Sequence, residues 1–347
     1  MNWVNICSTD KWTVEESPYL YKPSVVIAVI GVVLFTGVSL VLFYQFVKHR
    51  TWFLWALVIG MGMECFGFLL RAFSAKDVLK VLPFLGSYLF ILLAPSFLAA
   101  SCYGAFGRVL WFATPSSARN FRTLWVPPRW ITPVFVTFDL FSFLIQLFGG
   151  AKAASGIASA GEDASKEELA KKIESGKNIL LVGLSLQLAC FGLFAIIGGR
   201  FLWVSRKWVV QGPEGKVTGA TGRQWRSMNW AINGAATLIT LRAFYRIFAE
   251  QNDTNFFARH EWAFWLLDAL PIFATLVLFA AYHPGRILPQ QYIRLRLDRK
   301  AIINSKGGIF YPPAYTINNP IQSNTALGPV PTGQANYYGY GSRGGQY

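Results

Sequence analysis

Long apolar runs constrain the fold of this chain more than any other feature. A membrane-spanning helix needs about 20 consecutive, mostly apolar residues. Seven such runs occur in the 347 residues, and only 14% of the residues are charged, against about 25% in a typical soluble domain. We therefore predict an all-α integral membrane protein, a seven-transmembrane helix bundle. The predicted spans are roughly 24–46, 52–70, 83–106, 131–150, 178–203, 228–248 and 262–282.

Pro95 interrupts the third run and Pro271 the seventh. Kinks are tolerated in membrane helices where neighbouring helices satisfy the freed backbone groups. The stretches around 125–150 and 228–250 are the least purely apolar, so a six-span topology stays open beside the seven-span one.

The distribution of charge between the loops predicts the orientation. Cytosolic loops of membrane proteins are enriched in lysine and arginine. The side of this chain richer in those residues has only two acids, Glu214 and Asp298, whereas the other side has many. We expect the N-terminus outside and the C-terminus in the cytosol. The side assigned to the cytosol comprises loops 47–51, 104–130 and 200–227 and the tail from 283.

Three regions follow from this topology. Residues 1–23 are expected to form an extracellular N-terminal segment, and 24–284 the seven-helix membrane domain. Residues 285–347 are expected to form a cytosolic tail, first basic and then disordered, because its end is rich in Gly, Pro, Asn and Tyr. The sequence predicts neither an oligomeric state nor a nucleic-acid partner.

The loop between the fourth and fifth spans predicts a short outer helix over about 165–175. Ser165 and Glu168 have the spacing of a capping box, and Gly176 is a typical helix stop. In the next outer loop, Asn252 lies in a glycosylation sequon close to the membrane.

The basic stretch YIRLRLDRK at 292–300 follows the last span directly. Such stretches can bind anionic lipid headgroups. Charge that only sets the orientation is the simpler explanation.

Polar and ionisable residues inside the spans are the candidate functional residues, because such side chains are costly in a bilayer and usually face a bundle interior or a wet cavity. At about 1.5 Å of rise per residue, most of them fall at the midplane or in the outer half, and only Asp139 lies clearly in the inner half. The residues at or above the midplane are Glu64, Gln146, Gln187, Arg242, Arg246, Glu261 and Asp268.

The shared depth of these residues allows two interpretations. Arg242 suits a carboxylate partner, and Asp268 and Glu64 are the plausible ones. The residues could line a polar pocket that opens outward and binds a substrate. They could equally form a buried ion-pair network that fixes helix packing, and the sequence does not separate the two.

A series of motifs in the spans resembles the RTA-like family of fungal lipid-translocating exporters. The motifs occur in order and cover about residues 19–288. They are YKPS (21–24), ECFGFLLR (64–71), LLAPSFLAASCYGAFGR (92–108), DLFSFLIQLFGG (139–150), GLSLQL (183–188), LITLRAFYRIF (238–248), EWAFWLLD (261–268) and HPG (283–285).

The resemblance implies seven helices, a location in the plasma membrane or a related membrane, and no cofactor. It links the chain to export of sphingoid long-chain bases, resistance to amphiphilic amines and porphyrin movement. Two positions depart from the family pattern: Ala249 stands where an acid is usual, with Glu250 next to it, and Trp265 replaces a common tyrosine. The motif positions present are Glu64, Arg71, Asp139, Gln146, Gln187, Arg242, Arg246, Glu261 and Asp268.

Three function classes compete. The first is a translocator of membrane lipids or amphiphilic small molecules, in which Glu64 and Asp268 would meet a substrate ammonium. The second is a seven-helix receptor or sensor without transport. The third, an intramembrane metal hydrolase, is disfavoured because His49 and His283 lie on one side and His260 on the other, so we expect no catalytic or metal site.

Overall fold

The structure of the chain is a computed structural model. It describes residues 23–77, 80–114, 125–126, 128–158, 166–206, 208–210, 219–251, 260–288 and 315–317. The expected extracellular segment before residue 23, the sequon at Asn252 and the basic stretch 292–300 lie outside the described residues.

Long helices account for nearly all of the described residues. The first six are α1 (Val25–Lys48), α2 (Trp55–Lys76), α3 (Val81–Ala113), α4 (Pro128–Ala158), α5 (Lys166–Ser205) and α6 (Gly219–Gln251). The next begins as Glu261–Ala263, continues as the π-helical segment Phe264–Ala269 and ends as Leu270–Ala281; the three together are called α7. A 3₁₀ turn, Trp52–Leu54, precedes α2, and a short helix, α8 (Pro284–Ile287), follows α7.

A small pair of strands lies outside the helices. Strand β1 (Trp208–Val210) pairs antiparallel with β2 (Tyr315–Ile317). The region expected to be a tail therefore contributes one strand that pairs beside the end of α5. Apart from this pairing, the described fold is all helical.

The seven long helices form a closed ring, and α3 is one of its members. Each long helix packs against the next in sequence, and α7 returns to α1. Helix α3 also packs across the ring against α6, and it is the most buried of the candidate spans, with 78% of its most apolar window buried. Side chains on α3 are therefore positioned to contact polar residues from several other helices.

Six of the described helices are long and apolar enough to cross a membrane: α1 to α5 and α7. The outward faces of these helices carry large apolar side chains, such as Val33 on α1 and Phe148 on α4, as expected for contact with lipid. These features define a multi-pass integral membrane protein.

Helix α6 differs from the other six in composition. Its polar side chains Asn229, Asn233, Arg242 and Arg246 are all buried, with at most 7% of each residue exposed. They lower the mean hydropathy of the helix without facing outward, because α6 packs against α3, α5 and α7.

Glycines bring α4 and α5 into backbone contact. A Cβ atom on Gly176 would lie 2.6 Å from the amide nitrogen of Ala153, and one on Gly149 would lie 2.6 Å from that of Leu180. Small residues of this kind allow close approach of membrane helices. The helix expected at about 165–175 is continuous with α5, because Gly176 is used for helix packing and does not end the helix.

Pro95 and Pro271 are accommodated differently. Helix α3 continues through Pro95. Before Pro271, α7 widens into the π-helical segment Phe264–Ala269, a rare form that occurs mostly as a single wide turn within an α-helix. This segment carries Trp265 and Asp268, so the irregular turn lies at a group of polar residues.

The glycine contact predicts a position-specific effect on stability. Replacing Gly176 by Ala inserts a methyl group into the α4–α5 contact, and overpacking of this kind typically costs about 1–3 kcal/mol. Thermal unfolding of the purified protein in detergent should show a lower Tm for Gly176→Ala. The matched control is Gly192→Ala on the same helix, where nothing lies within 4 Å of the added Cβ. Equal Tm values for the two variants would contradict the packing assignment.

Candidate functional site

Asp268 is held by two arginines from α6. Arg246 donates from Nε to Oδ1 at 2.6 Å and from a terminal nitrogen to Oδ2 at 2.5 Å, a bidentate arrangement. The Nε atom of Arg242 lies 2.9 Å from Oδ1. Asp268 is fully buried, and both arginines are less than 10% exposed. One carboxylate therefore faces two guanidinium groups away from solvent.

Arg242 also connects this ion pair to α3. One of its terminal nitrogens donates to the carbonyl oxygen of Ile91 at 2.6 Å. That carbonyl lies four residues before Pro95, which has no N–H to donate within the helix. The proline thus frees a backbone acceptor, and the arginine satisfies it.

Glu64 on α2 lies near the same charges. It is 1% exposed and close enough to Arg242, Arg246 and Asp268 to interact with them electrostatically. Its Oε1 atom has no hydrogen-bond partner, and among the described residues Glu64 forms no ion pair within 4.0 Å. Glu64 is therefore the carboxylate of this group that is not already occupied by an arginine.

A third arginine completes the group. Arg71 on α2 is buried, lies within electrostatic reach of Asp268, and stacks over the ring of Phe264 at 3.8 Å. We call these five residues from α2, α6 and α7 the ion cluster: Glu64, Arg71, Arg242, Arg246 and Asp268.

Aromatic rings cover the ion cluster on one side. Trp265 stacks on Phe68 with ring centroids 5.5 Å apart, and Phe68 stacks in turn on Phe35 of α1. Gly31 of α1 makes room for Trp265, since a Cβ at position 31 would lie 2.7 Å from the indole. Trp265, one of the two departures from the family pattern, thus packs near Arg71 of the ion cluster.

Tyr88 and Glu250 extend the ion cluster, and neither was among the residues proposed from the sequence. The Tyr88 hydroxyl donates to Glu250 Oε1 at 2.6 Å, and the Arg246 guanidinium lies 5.7 Å from the Tyr88 ring. The only sequence signal for Glu250 was its position next to Ala249, where the family usually has an acid. Nothing in the sequence distinguished Tyr88 from the other aromatic residues.

Gln146 and Gln187 belong to a separate group. Gln146 donates to Gln187 at 2.6 Å, and Gln187 donates to the hydroxyl of Ser96 at 2.9 Å. These three buried residues connect α4, α5 and α3. The structure brings the two glutamines together, as their common depth suggested, but their hydrogen bonds lead to α3 and not to the arginines.

Glu261 also lies apart from the ion cluster. Its carboxylate accepts from the backbone amide of Ser24 at 3.1 Å and from the indole nitrogen of Trp265 at 3.3 Å. Ser24 precedes α1, so Glu261 satisfies a backbone group at the start of that helix. Its contacts tie α7 to α1.

The histidines are divided as the sequence indicated. The rings of His49 and His283 lie 5.7 Å apart, next to each other between α1 and α8. Burial lowers the pKa of His49, and the nearby charges of Lys48 and Arg286 lower it further. His260 lies directly before α7, whereas His283 lies after the other end of that helix. Within the described residues no group of three or more His, Cys, Asp or Glu side chains is arranged to hold a metal ion.

Buried charges at one level of a multi-pass helical bundle are typical of membrane proteins that move or bind polar groups within the bilayer. A family model described as RTA1 like protein matches residues 57–291. The match covers more than half of the chain, α2 to α8 included, so this chain belongs to the RTA1-like family of membrane proteins.

Curated relatives agree with this assignment. Protein RTA1 of Saccharomyces cerevisiae is 32% identical over 231 residues, which are 65% of this chain and 64% of the relative. The probable lipid transporter atnI of Emericella nidulans is 26% identical over 277 residues, 78% of this chain and 68% of the relative. The sphingoid long-chain base transporter RSB1 of S. cerevisiae is 22% identical over 270 residues, 70% and 66% of the two chains.

These names place the chain in a family related to membrane lipid transport, and the named functions are those of transporters and not of enzymes. No solved structure matches the chain significantly.

The geometry predicts strong coupling between Arg246 and Asp268. Breaking a buried ion pair by removing one partner typically costs about 3–5 kcal/mol, because the other charge stays buried and unpaired. Arg246→Gln and Asp268→Asn should each lower thermal stability markedly, whereas the double variant should lose less than the sum, with a coupling energy of about 0.5–3 kcal/mol. Glu261→Gln with Arg246→Gln is the control pair, and its effects should add. Additive losses for Arg246 and Asp268 would contradict the ion pair.

Proposed function

We propose that this protein moves amphiphilic lipids with a cationic headgroup, such as sphingoid long-chain bases, across the membrane. All seven long helices span the bilayer in this proposal, with the N-terminus outside, the C-terminus in the cytosol and the plasma membrane as the location. Helix α6 crosses despite its low apolarity, because its charged and amide side chains are buried against α3, α5 and α7.

The observation that carries the proposal is that only one of the two acids in the ion cluster is paired with arginines. Asp268 is saturated by Arg242 and Arg246, whereas Glu64 lies beside them with no ion pair of its own among the described residues. A buried carboxylate that is not occupied by an ion pair is free to bind a cation, and an alkyl ammonium on a lipid is one that reaches this depth from the bilayer. The arginines hold Asp268 in place, and Glu64 receives the headgroup.

The headgroup site must open for this to happen. In the conformation described, Glu64 is 1% exposed and Asp268 fully buried, so the ion cluster is closed. A transporter alternates between conformations that expose its site to different sides. The π-helical segment Phe264–Ala269 carries Asp268 and adjoins the aromatic cover, and we place the opening movement there.

The relatives support the substrate class. One is named as a probable lipid transporter and another as a sphingoid long-chain base transporter. In this proposal the basic stretch 292–300 of the tail also binds anionic lipid headgroups, away from the ion cluster. A receptor that binds the same lipids without moving them is the alternative outcome of the flux test.

Flux in a defined system tests the transport function. The purified full-length chain, reconstituted in liposomes, should accelerate the movement of a fluorescently labelled long-chain base between leaflets relative to protein-free liposomes. Binding of the labelled base without any acceleration would contradict transport and support the receptor alternative. Neither binding nor acceleration would contradict the substrate class.

The role of Glu64 predicts a selective loss of binding. Glu64→Gln keeps the shape of the side chain and removes its charge, so affinity for the ammonium form of a long-chain base should fall by about tenfold, the equivalent of about 1.4 kcal/mol. Affinity for the N-acetylated, uncharged analogue should not change. Asp77→Asn, an exposed acid following the same helix, is the control and should bind both lipids like the wild type. An unchanged affinity of Glu64→Gln for the charged base would remove Glu64 from the site.

A further inference from the structure

Asp139 is a second buried acid, and the described part of the chain supplies no counter-charge to it. It lies on α4, is 3% exposed, and neither of its carboxylate oxygens makes a hydrogen bond of ordinary geometry. Among the described residues no basic side chain forms an ion pair with it. This environment is the opposite of that of Asp268, whose carboxylate faces two arginines.

The neighbours of Asp139 are neutral. Helix α4 packs against α3 and α5. The titratable groups that these helices bring near Asp139 are the thiol of Cys102 and the hydroxyl of Tyr103 from α3, and the thiol of Cys190 from α5. The Tyr103 hydroxyl and the Cys190 sulfur are themselves 4.0 Å apart. None of the three supplies a positive charge.

An ionised carboxylate in such a place would carry a large desolvation penalty, and groups so placed neutralise instead. A cation must therefore accompany Asp139. The small cavity that Cys102 and Tyr103 line has a volume of about 10 Å³, room for at most about one water molecule, and Asp139 is not among its lining residues. Within the described residues no group of three or more His, Cys, Asp or Glu side chains is arranged to hold a metal ion. A proton is the cation that needs neither a cavity nor a set of ligands.

Asp139 also lies in line with the ion cluster along α3. That helix contacts Arg242 through Ile91, the glutamine pair through Ser96, and Asp139 through Tyr103. At about 1.5 Å of rise per residue, these three contacts span about 18 Å along one buried helix. The same helix thus contacts the proposed headgroup site and Asp139 at different depths.

We propose that Asp139 is a proton-binding site that couples lipid movement to a proton. In the closed conformation the carboxylic acid keeps its proton. When the α3–α4–α5 contact opens to water, its O–H bond breaks, the electron pair stays on the carboxylate, and the proton passes to water as hydronium. Reclosure requires that the carboxylate take up a proton again. This coupling role rests on the proposed transport function, whereas the protonation of Asp139 does not.

Infrared spectroscopy tests the protonation without any substrate. The full-length protein in lipid should show a carboxylic acid C=O band that shifts in D₂O and is absent from Asp139→Asn. The control is Ser142→Ala, on the same buried face of α4 and without a titratable group, which should retain the band. If the spectra of the wild type and of Asp139→Asn show the same carboxylic acid bands, the proton site is overturned.

Flux in liposomes tests the coupling. In liposomes that contain the wild-type protein, a pH difference of one unit across the membrane should drive accumulation of the labelled long-chain base. If one proton moves per lipid, its concentration on one side should exceed that on the other by up to about tenfold. Asp139→Asn should lose this dependence on the pH difference, and Asp139→Glu and Ser142→Ala should keep it. Gradient-driven accumulation that persists unchanged in Asp139→Asn would overturn the coupling. Absence of wild-type flux would instead contradict the proposed function, with the infrared result still deciding the proton site.

Discussion

The bidentate contact between Arg246 and Asp268 is the interaction on which the rest of the bundle depends. A guanidinium and a carboxylate that satisfy each other can both remain charged inside a helix bundle. Here Arg242 adds a second positive charge and extends to the Ile91 carbonyl. One acid therefore joins α6, α7 and α3, and Glu64 is left as the acid of the ion cluster that has no ion pair among the described residues. The proposed headgroup site follows from that difference between two carboxylates.

Backbone irregularities contribute to the same arrangement. Pro95 removes one hydrogen bond from α3, and the released carbonyl becomes the acceptor for Arg242. The π-helical turn of α7 carries Asp268 at the level of the arginines. Regular helices would offer no free backbone acceptor at this depth. Helix α3, which contacts most of the other helices, then carries polar contacts from the ion cluster through Ser96 to Tyr103.

The sequence indicated which residues of different helices lie level with one another, because span boundaries and a fixed rise per residue determine the position of a residue along its helix. Arg242 and Asp268 were expected at one level and do meet. The direction in which side chains point was less predictable, since it depends on the rotation of each helix about its axis and on packing. The sequence favoured Arg242 as the partner of Asp268, whereas Arg246 makes the bidentate contact. Glu261 binds the backbone amide of Ser24 before α1 and not the arginines. Gly176 has the sequence signature of a helix stop, but it forms an interhelical contact.

An experimental structure with a bound lipid tests the central claim most directly. Cryo-electron microscopy of the full-length chain in nanodiscs, with a long-chain base brominated in its tail to mark its orientation, would locate the headgroup. We predict that the ammonium lies beside Glu64 while Arg242 and Arg246 still hold Asp268. A headgroup bound elsewhere in the bundle, or an Asp268 carboxylate that has left both arginines for the ammonium, would contradict the account.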